Sequence, residues 1–379
     1  MPATAKSRAP KTARRGSRSA SSPAPHIARL EKLQNLIPDA DSLLITNATD
    51  VAYLTGFLGG DSYLLLPRSG RPTIISDFRY QQELEPVKPL AEIYIRRQSM
   101  TAAVLDVLAS RSRIAFQAEH LPFAEADALT RQHPGSFIPT TGLVGQLRAR
   151  KDDTEIALIR QAIKIQQDAL NAVLPTIEPG QTELEVAARI EAEMKSRGSR
   201  EPGFQTIVAA KANGSLPHYR PGKDKLARNK PVLIDWGAVF QGYHGDMTRV
   251  FCLGAWPAKL KEIYTIVLEA HLAAASALAP GRTTHEIDAI ARAHIASAGY
   301  GEFFGHGLGH GMGLNGHEDP RLNPMYASTI LQPGNVVTIE PGIYIPGLGG
   351  VRIEDDFLVT DSGARNLCSM PKDLKWATL

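Results

Sequence analysis

IDWGAVFQGYHGDMTR (residues 234–249) and TIEPGIYIPGLGGVRIED (residues 338–355) decide how this chain is read. Each stretch sets two acids on either side of a glycine-containing turn between apolar runs. They are Asp235 and Asp246 in the first, Glu340 and Glu354 in the second. Each pair is expected at facing positions on the two strands of a hairpin, where opposed side chains stand roughly 4.5–5.5 Å apart at Cβ. Four acids set this way among apolar residues repel one another, and buried charge has to be compensated. Divalent cations with oxygen ligands supply that compensation. One imidazole, His310, lies between the two stretches. Four acids and one imidazole can hold two cations about 3.5–4 Å apart, the spacing of two-metal hydrolases. The pattern points to a metal-dependent hydrolase.

Working outward, the surrounding sequence repeats. Pro179-Gly180-Gln181-Thr182 is followed by Glu185 and a helical stretch ending at Gly198. Pro280-Gly281-Arg282-Thr283 is followed by Glu286 and a helical stretch ending at Gly299. Thr-x-x-Glu is a capping box, which satisfies free amides at a helix start. Glycine suits the left-handed position that closes a helix. Each copy follows an amphipathic helix and precedes an acid-bearing hairpin. The C-terminal region therefore reads as two related halves whose acids meet at their junction, a suitable place for an interior site.

Further out the texture changes. KDDTEIALIRQAIKIQQDALNAVL (151–174) predicts a helix with Ile156, Ile159, Ile163, Leu170 and Leu174 on one stripe. Before it, SLLIT (42–46), SYLLLP (62–67) and PTIIS (72–76) read as strands, and AAVLDVLA (102–109) as a helix. Residues 26–148 are expected to form an α/β domain and residues 149–379 an α+β domain with an internal pseudo-twofold repeat.

The 379 residues and 43% hydrophobic content allow two ordinary domains with real cores. The net charge of +3 is unevenly placed. Lys6, Arg8, Lys11, Arg14, Arg15 and Arg18 fall within residues 1–25, which hold no acid, so the rest of the chain is net acidic. No nucleic-acid groove is expected on it. Residues 1–25 read as a disordered tail, too poor in large apolar residues to offset its ordering entropy. A transit peptide and a weak polyanion-binding arm stay open for it. Arg14-Arg15 lacks the apolar run that an export signal needs. No stretch is apolar for about 18 residues, so no membrane span is expected. Cys252 and Cys368 are too few for a disulfide framework and suit a reducing, cytoplasmic setting. Cys252, in RVFCLG, reads as a small core residue.

The motifs DWGAVFQGYHGDMTR, GHGLGHGMGLNGHEDP, TIEPGIY and GVRIED together resemble the pita-bread metallopeptidases, which include aminopeptidase P, prolidase and methionine aminopeptidase. The resemblance runs over about residues 40–365. YLTGF (53–57) and SDFRY (76–80) are similar to the creatinase-type N-terminal domain, which points to the proline-specific branch. It implies a creatinase-like α/β domain followed by a pita-bread domain, and two divalent cations, manganese first and cobalt or zinc next.

The resemblance also implies roles. Asp235 would chelate one metal, Asp246 and Glu354 would bridge both, and His310 and Glu340 would complete the other. Glu340 would also pass protons to and from the attacking water. His218 and His317 would donate to the scissile carbonyl oxygen as charge builds there. His306 and Tyr344 would line the proline side, and Arg352 would hold a ligand carboxylate. The glycines of GHGLGHGMG would let backbone approach metal or substrate. Gly245 and Gly316 stand where relatives usually carry larger residues. The implied activity is an Xaa-Pro aminopeptidase attacking with a hydroxide shared between the cations. A strict Xaa-Pro dipeptidase and a silent binding protein on the same fold are the alternatives. The implied partner is a peptide with proline second, and the implied assembly a homodimer.

Overall fold

The computed structural model describes residues 24–108 and 112–379, and two compact units meet between Pro139 and Thr140. The expected tail lies outside the described residues, except that its last two positions already open the first helix. Ala109, the last residue of the expected 102–109 helix, lies outside them too.

The N-terminal unit is α/β, as expected. Its strands are β1 (Ser42–Ile45), β2 (Tyr63–Pro67), β3 (Thr73–Ser76), β4 (Glu92–Ile95), β5 (Arg113–Gln117) and β6 (Ser136–Thr140). They form one sheet in the order β4-β3-β2-β1-β5-β6. Four helices accompany it: α1 (Ala24–Leu36), α2 (Ala48–Thr55), α3 (Met100–Val107) and α4 (Phe123–Gln132). After Ser42, β1 is apolar because it is covered on both faces, and Leu43, Leu44 and Ile45 are fully buried.

The C-terminal unit opens with α5 (Leu143–Arg148), which the sequence reading assigns to the first domain. Its first half continues with α6 (Asp153–Val173), α7 (Glu183–Ser196), β7 (Ile207–Ala210), β8 (Pro231–Trp236), β9 (Val239–Phe240), β10 (Tyr243–His244) and β11 (Met247–Cys252). The second half has α8 (Ala258–Ala277), α9 (Thr284–Ser297), β12 (Gly309–Gly311) and β13 (Glu318–Leu322). It ends with β14 (Val336–Ile339), β15 (Gly342–Ile345), β16 (Gly349–Arg352), β17 (Asp355–Thr360) and β18 (Gly363–Asn366). The sheets run β11-β8-β7 and β13-β12-β14-β17-β18, and β9-β10 and β15-β16 are separate hairpins.

α6 buries Ile159, Ile163 and Leu170 of the expected stripe, with Ile156 and Leu174 half-buried at its ends. The repeat is present in its local details. Thr182 and Thr283 both cap through capping boxes, with Glu185 and Glu286 reaching back. Gly198 and Gly299 both take positive φ, at 102° and 86°. The chain then returns past each cap in the same way. Gly180 N donates to Leu226 O and Gly281 N to Leu331 O, and Thr182 and Thr283 form bridges with Lys225 and Ile330. One apolar core joins the halves, with Leu233 and Val250 from the first and Ile339 and Phe357 from the second.

The hairpin expectation needs correction in the first half. Asp235 faces Thr248, not Asp246. The glycine turn belongs to the small β9-β10 hairpin, where Gln241 and Gly242 both take positive φ as a tight two-residue turn requires. That insert leaves Asp246 one residue before β11, on the same face as Thr248 by the two-residue alternation of a strand. In the second half Gly342 pairs with Arg352, and that register continued by two residues opposes Glu340 and Glu354.

Candidate active site

Asp246, His310 and Glu354 converge, with one ligand atom from each lying within 4.8 Å of the others. His310 Nε2 is 3.9 Å from Asp246 Oδ2 and 3.3 Å from Glu340 Oε1. The imidazole is set by its own strand. Its Nδ1 lies 3.1 Å from Gly311 O, and a carbonyl only accepts, so Nδ1 carries the hydrogen and Nε2 keeps its lone pair. The glycines beside it have a reason other than room for metal or substrate. A Cβ at Gly309 would stand 2.1 Å from Thr338 O, and one at Gly311 would stand 2.2 Å from Asp319 O. They let β12 lie between β14 and β13.

Asp235 is held differently. Its Oδ2 accepts from Arg352 Nη2, while its buried Oδ1 has no hydrogen-bond partner among the described residues. Arg352 also donates to Tyr344 Oη (2.8 Å) and to Thr248 Oγ1 (2.9 Å), and Thr248 donates in turn to Glu354 Oε2 (2.6 Å). His306 Nε2 meets Tyr344 Oη at 2.9 Å. The rings of His317 and His310 are 3.9 Å apart between centroids. His218, His306 and His317 all line a cavity of about 700 Å³ with the five candidate ligands, and Arg352 lines it too.

Sequence reading missed several supports. Thr248 ties Glu354 to β11, and the strand alternation that sets it beside Asp246 was the available signal. Arg249 is fully buried, pairs with Asp355 Oδ1 at 2.6 Å and donates to Glu354 O at 2.6 Å. Arg321 lines the cavity as a partly exposed cation with an acid neighbour, Asp319, 3.9 Å away. It follows a register slip after His310 that no local signal reveals. Gly245 is explained by α6, since a Cβ there would stand 2.6 Å from Gln166 Oε1. Gly316 is not so constrained, since a Cβ there would meet only His244 Cδ2, at 3.8 Å. Cys252 and Cys368 are buried free thiols.

The donor set fits divalent cations. Burial pushes Asp246 well above the carboxylate range, with Glu354 and Asp235 adding repulsion. Glu354 is raised by burial, Glu340 and Asp235. Burial pushes Glu340 up to about 8, and burial also raises Asp235 against the opposing charge of Arg352. His310 is driven well down by burial and by His317, into the neutral form that binds metal. The orphaned Asp235 Oδ1 is one more unmatched acceptor. Cations bound here would lower all four acids into their ligand form.

The model of metallopeptidase family M24 matches residues 157–361, and that of the creatinase/prolidase N-terminal domain matches residues 29–150. The chain belongs to metallopeptidase family M24. This M24 enzyme is 36% identical to a Xaa-Pro dipeptidase of Pyrococcus horikoshii, over 88% of this chain and 94% of that protein. Its fold matches a solved Xaa-Pro dipeptidase from Bacillus anthracis with a TM-score of 0.89 and 36% identity, covering 93% of this chain and 100% of that one. A solved X-Pro aminopeptidase from Thermotoga maritima matches with a TM-score of 0.80 and 32% identity, over 90% and 99% of the two chains. The M24 enzyme is thus a two-domain metallopeptidase, with a creatinase-type domain before a pita-bread domain. No helix among the described residues is long and apolar enough to cross a membrane.

Proposed function

We propose that this peptidase hydrolyses the bond between an N-terminal residue and proline. The observation that carries the reading is one cavity lined by Asp235, Asp246, His310, Glu340 and Glu354 together with His218, His306 and His317. Two divalent cations, manganese by family resemblance, would supply Lewis acidity and a water acidic enough to attack near neutral pH. The five ligands would hold them, with Arg352 and Thr248 fixing Asp235 and Glu354. Glu340, whose Oε1 lies 3.3 Å from His310 Nε2, would take and return the proton. His218 and His317 would donate to the carbonyl oxygen as it becomes negative. His306 lines the cavity and would wall the proline side; Tyr344, expected beside it, is not among the lining residues and packs behind it at 5.5 Å between ring centroids. A bond before proline lacks the usual N–H and has restricted backbone, so a dedicated pocket is needed.

Arg321 favours a second reading. A cavity cation held only by an exposed acid 3.9 Å away, Asp319, among the described residues suits the free carboxylate of a dipeptide, the end group that separates a dipeptidase from the aminopeptidase expected from sequence. Manganese-loaded enzyme given Ala-Pro, Ala-Pro-Ala and Ala-Ala separates these readings. Cleavage of both proline peptides alone supports the aminopeptidase, and cleavage of Ala-Pro alone the dipeptidase. Cleavage of Ala-Ala at an equal rate, or of nothing with metal bound, removes the Xaa-Pro reading. The expected homodimer, manganese preference and cytoplasmic setting belong to the same proposal, tested by light scattering, metal analysis and cell fractionation.

A further inference from the structure

Glu183, the first residue of α7, is fully buried and has no part in the chemistry above. Its carboxylate accepts four hydrogen bonds, from the last residue of β7 and the segment that joins it to β8. The donors are Ala210 N (2.7 Å), Asn213 Nδ2 (2.9 Å), Tyr219 Oη (2.8 Å) and Gly222 N (3.1 Å). Tyr219 is pushed up to about 12, first by burial and then by Glu183, so it remains a donor. A buried carboxylate is tolerated when its oxygens are matched in this way.

His218 sits inside this segment. Its side chain is exposed at the cavity, and its ring makes no hydrogen bond among the described residues. What its surroundings fix is therefore the path of its backbone, which limits where the ring can reach. The backbone enters the segment through Lys211, which takes a positive φ of 59° directly after Ala210. A non-glycine residue rarely holds that conformation unless its surroundings fix it. Glu183 fixes the backbone before His218, through Ala210, and after it, through Gly222.

The repeat shows that an acid is not a general requirement of this helix start. The matching residue in the second half is Thr284, which also follows a capping threonine and is also fully buried. Its hydroxyl accepts from Thr329 N at 3.2 Å. A hydroxyl thus suffices to open this helix and hold the chain behind it. The carboxylate at 183 makes four bonds where its counterpart makes this one.

We propose that Glu183 is a positioning residue for His218, locking residues 210–222 so that the imidazole can face the substrate carbonyl. This rests on the proposed role of His218 in Xaa-Pro hydrolysis. The test is a double-mutant cycle of Glu183→Gln with His218→Ala, read as kcat on Ala-Pro and as bound manganese. The amide of Glu183→Gln cannot accept from every backbone donor that Glu183 serves. Glu183→Gln is expected to lower kcat about 10–100-fold, as loss of a supporting hydrogen-bond partner does, with manganese content unchanged. In the His218→Ala background it is expected to cost less than about twofold, since residues acting through one another are not additive. An unchanged kcat, or an equal loss in both backgrounds, overturns the proposal.

Glu183→Thr, the residue type the second half carries, is run alongside. If neither variant folds, the role is structural and the proposal fails. If the wild-type enzyme cleaves no Xaa-Pro peptide, that reading fails separately, and the His218 imidazole NMR signals decide. A shift in Glu183→Gln with α7 amide protection retained supports positioning, and an unmoved signal overturns it.

Discussion

Asp235 follows Leu226 by the same number of residues as Glu340 follows Leu331, and each leucine pairs with the chain just before its capping threonine. From this shared frame the halves diverge. The first supplies two aspartates, Arg249 and Thr248, while the second supplies His310, two glutamates and Arg352. Their histidine-bearing segments are also anchored differently. Neutral donors on Glu183 hold the segment of His218. A buried ion-paired acid, Glu318, stands next to His317, pairs with Arg148 and Lys151, and accepts from Asn315 N at 2.8 Å. What recurs is what the backbone needs to form helix, return and strand. What differs is what touches the cavity or supports what does.

The sharpest way to break this comparison is to remove one ligand from each half. Asp246→Ala and His310→Ala are both expected to drop turnover to background, with the circular dichroism of the fold retained. Turnover surviving in either variant when saturated with manganese would mean that the halves do not share one metal centre.

Next in size is Glu318→Gln. Removing one partner of a buried ion pair typically costs about 3–5 kcal/mol, and denaturant unfolding would measure it. Burial pushes the Glu318 carboxyl up, but Lys151 and Arg148 outweigh that and leave it below the usual glutamate range. The unfolded chain therefore takes up this proton first as pH falls. The stabilisation is complete above the ordinary glutamate value and is lost as pH falls through the lower folded value. Glu318→Gln should flatten that acid limb, and an unchanged limb would remove Glu318 as its source.

Arg352→Met and Thr248→Val each remove a support of ligands in both halves. Each is expected to lower activity or metal affinity about 10–100-fold, read by titrating manganese into metal-free protein. Equal affinity to wild type would show that Asp235 and Glu354 orient without help.

The smallest effect sharpens the comparison most directly. Thr182→Ala and Thr283→Ala should each destabilise by about 1 kcal/mol, the usual value of such a cap, and by equal amounts if the two helix starts are equivalent.

The frame was legible because its signals are local. A capping box, a glycine stop and an apolar run each act within a few residues, so both repeats and three N-terminal strands could be read directly. The proposed ligands were legible as a set because five side chains of metal-binding type, in separate motifs, form a joint pattern. The rest depends on distance in the chain. Whether Asp246 or Thr248 faces Asp235 is settled by a two-strand insert. Arg321 reaches the cavity after a register slip, and Glu183 carries no sign in its own neighbourhood that it holds a segment some thirty residues on.

The division of the ligands between two halves also sets an order of assembly. Chains grow at about 5–20 residues per second, so Asp235 and Asp246 leave the ribosome on the order of ten seconds before Glu354 is made. In that interval two acids await partners that do not yet exist. Only when β16 and β17 arrive can Arg352 and Glu354 close the cavity. The proposed metal centre is thus completed last, after the residues of its first half have been made.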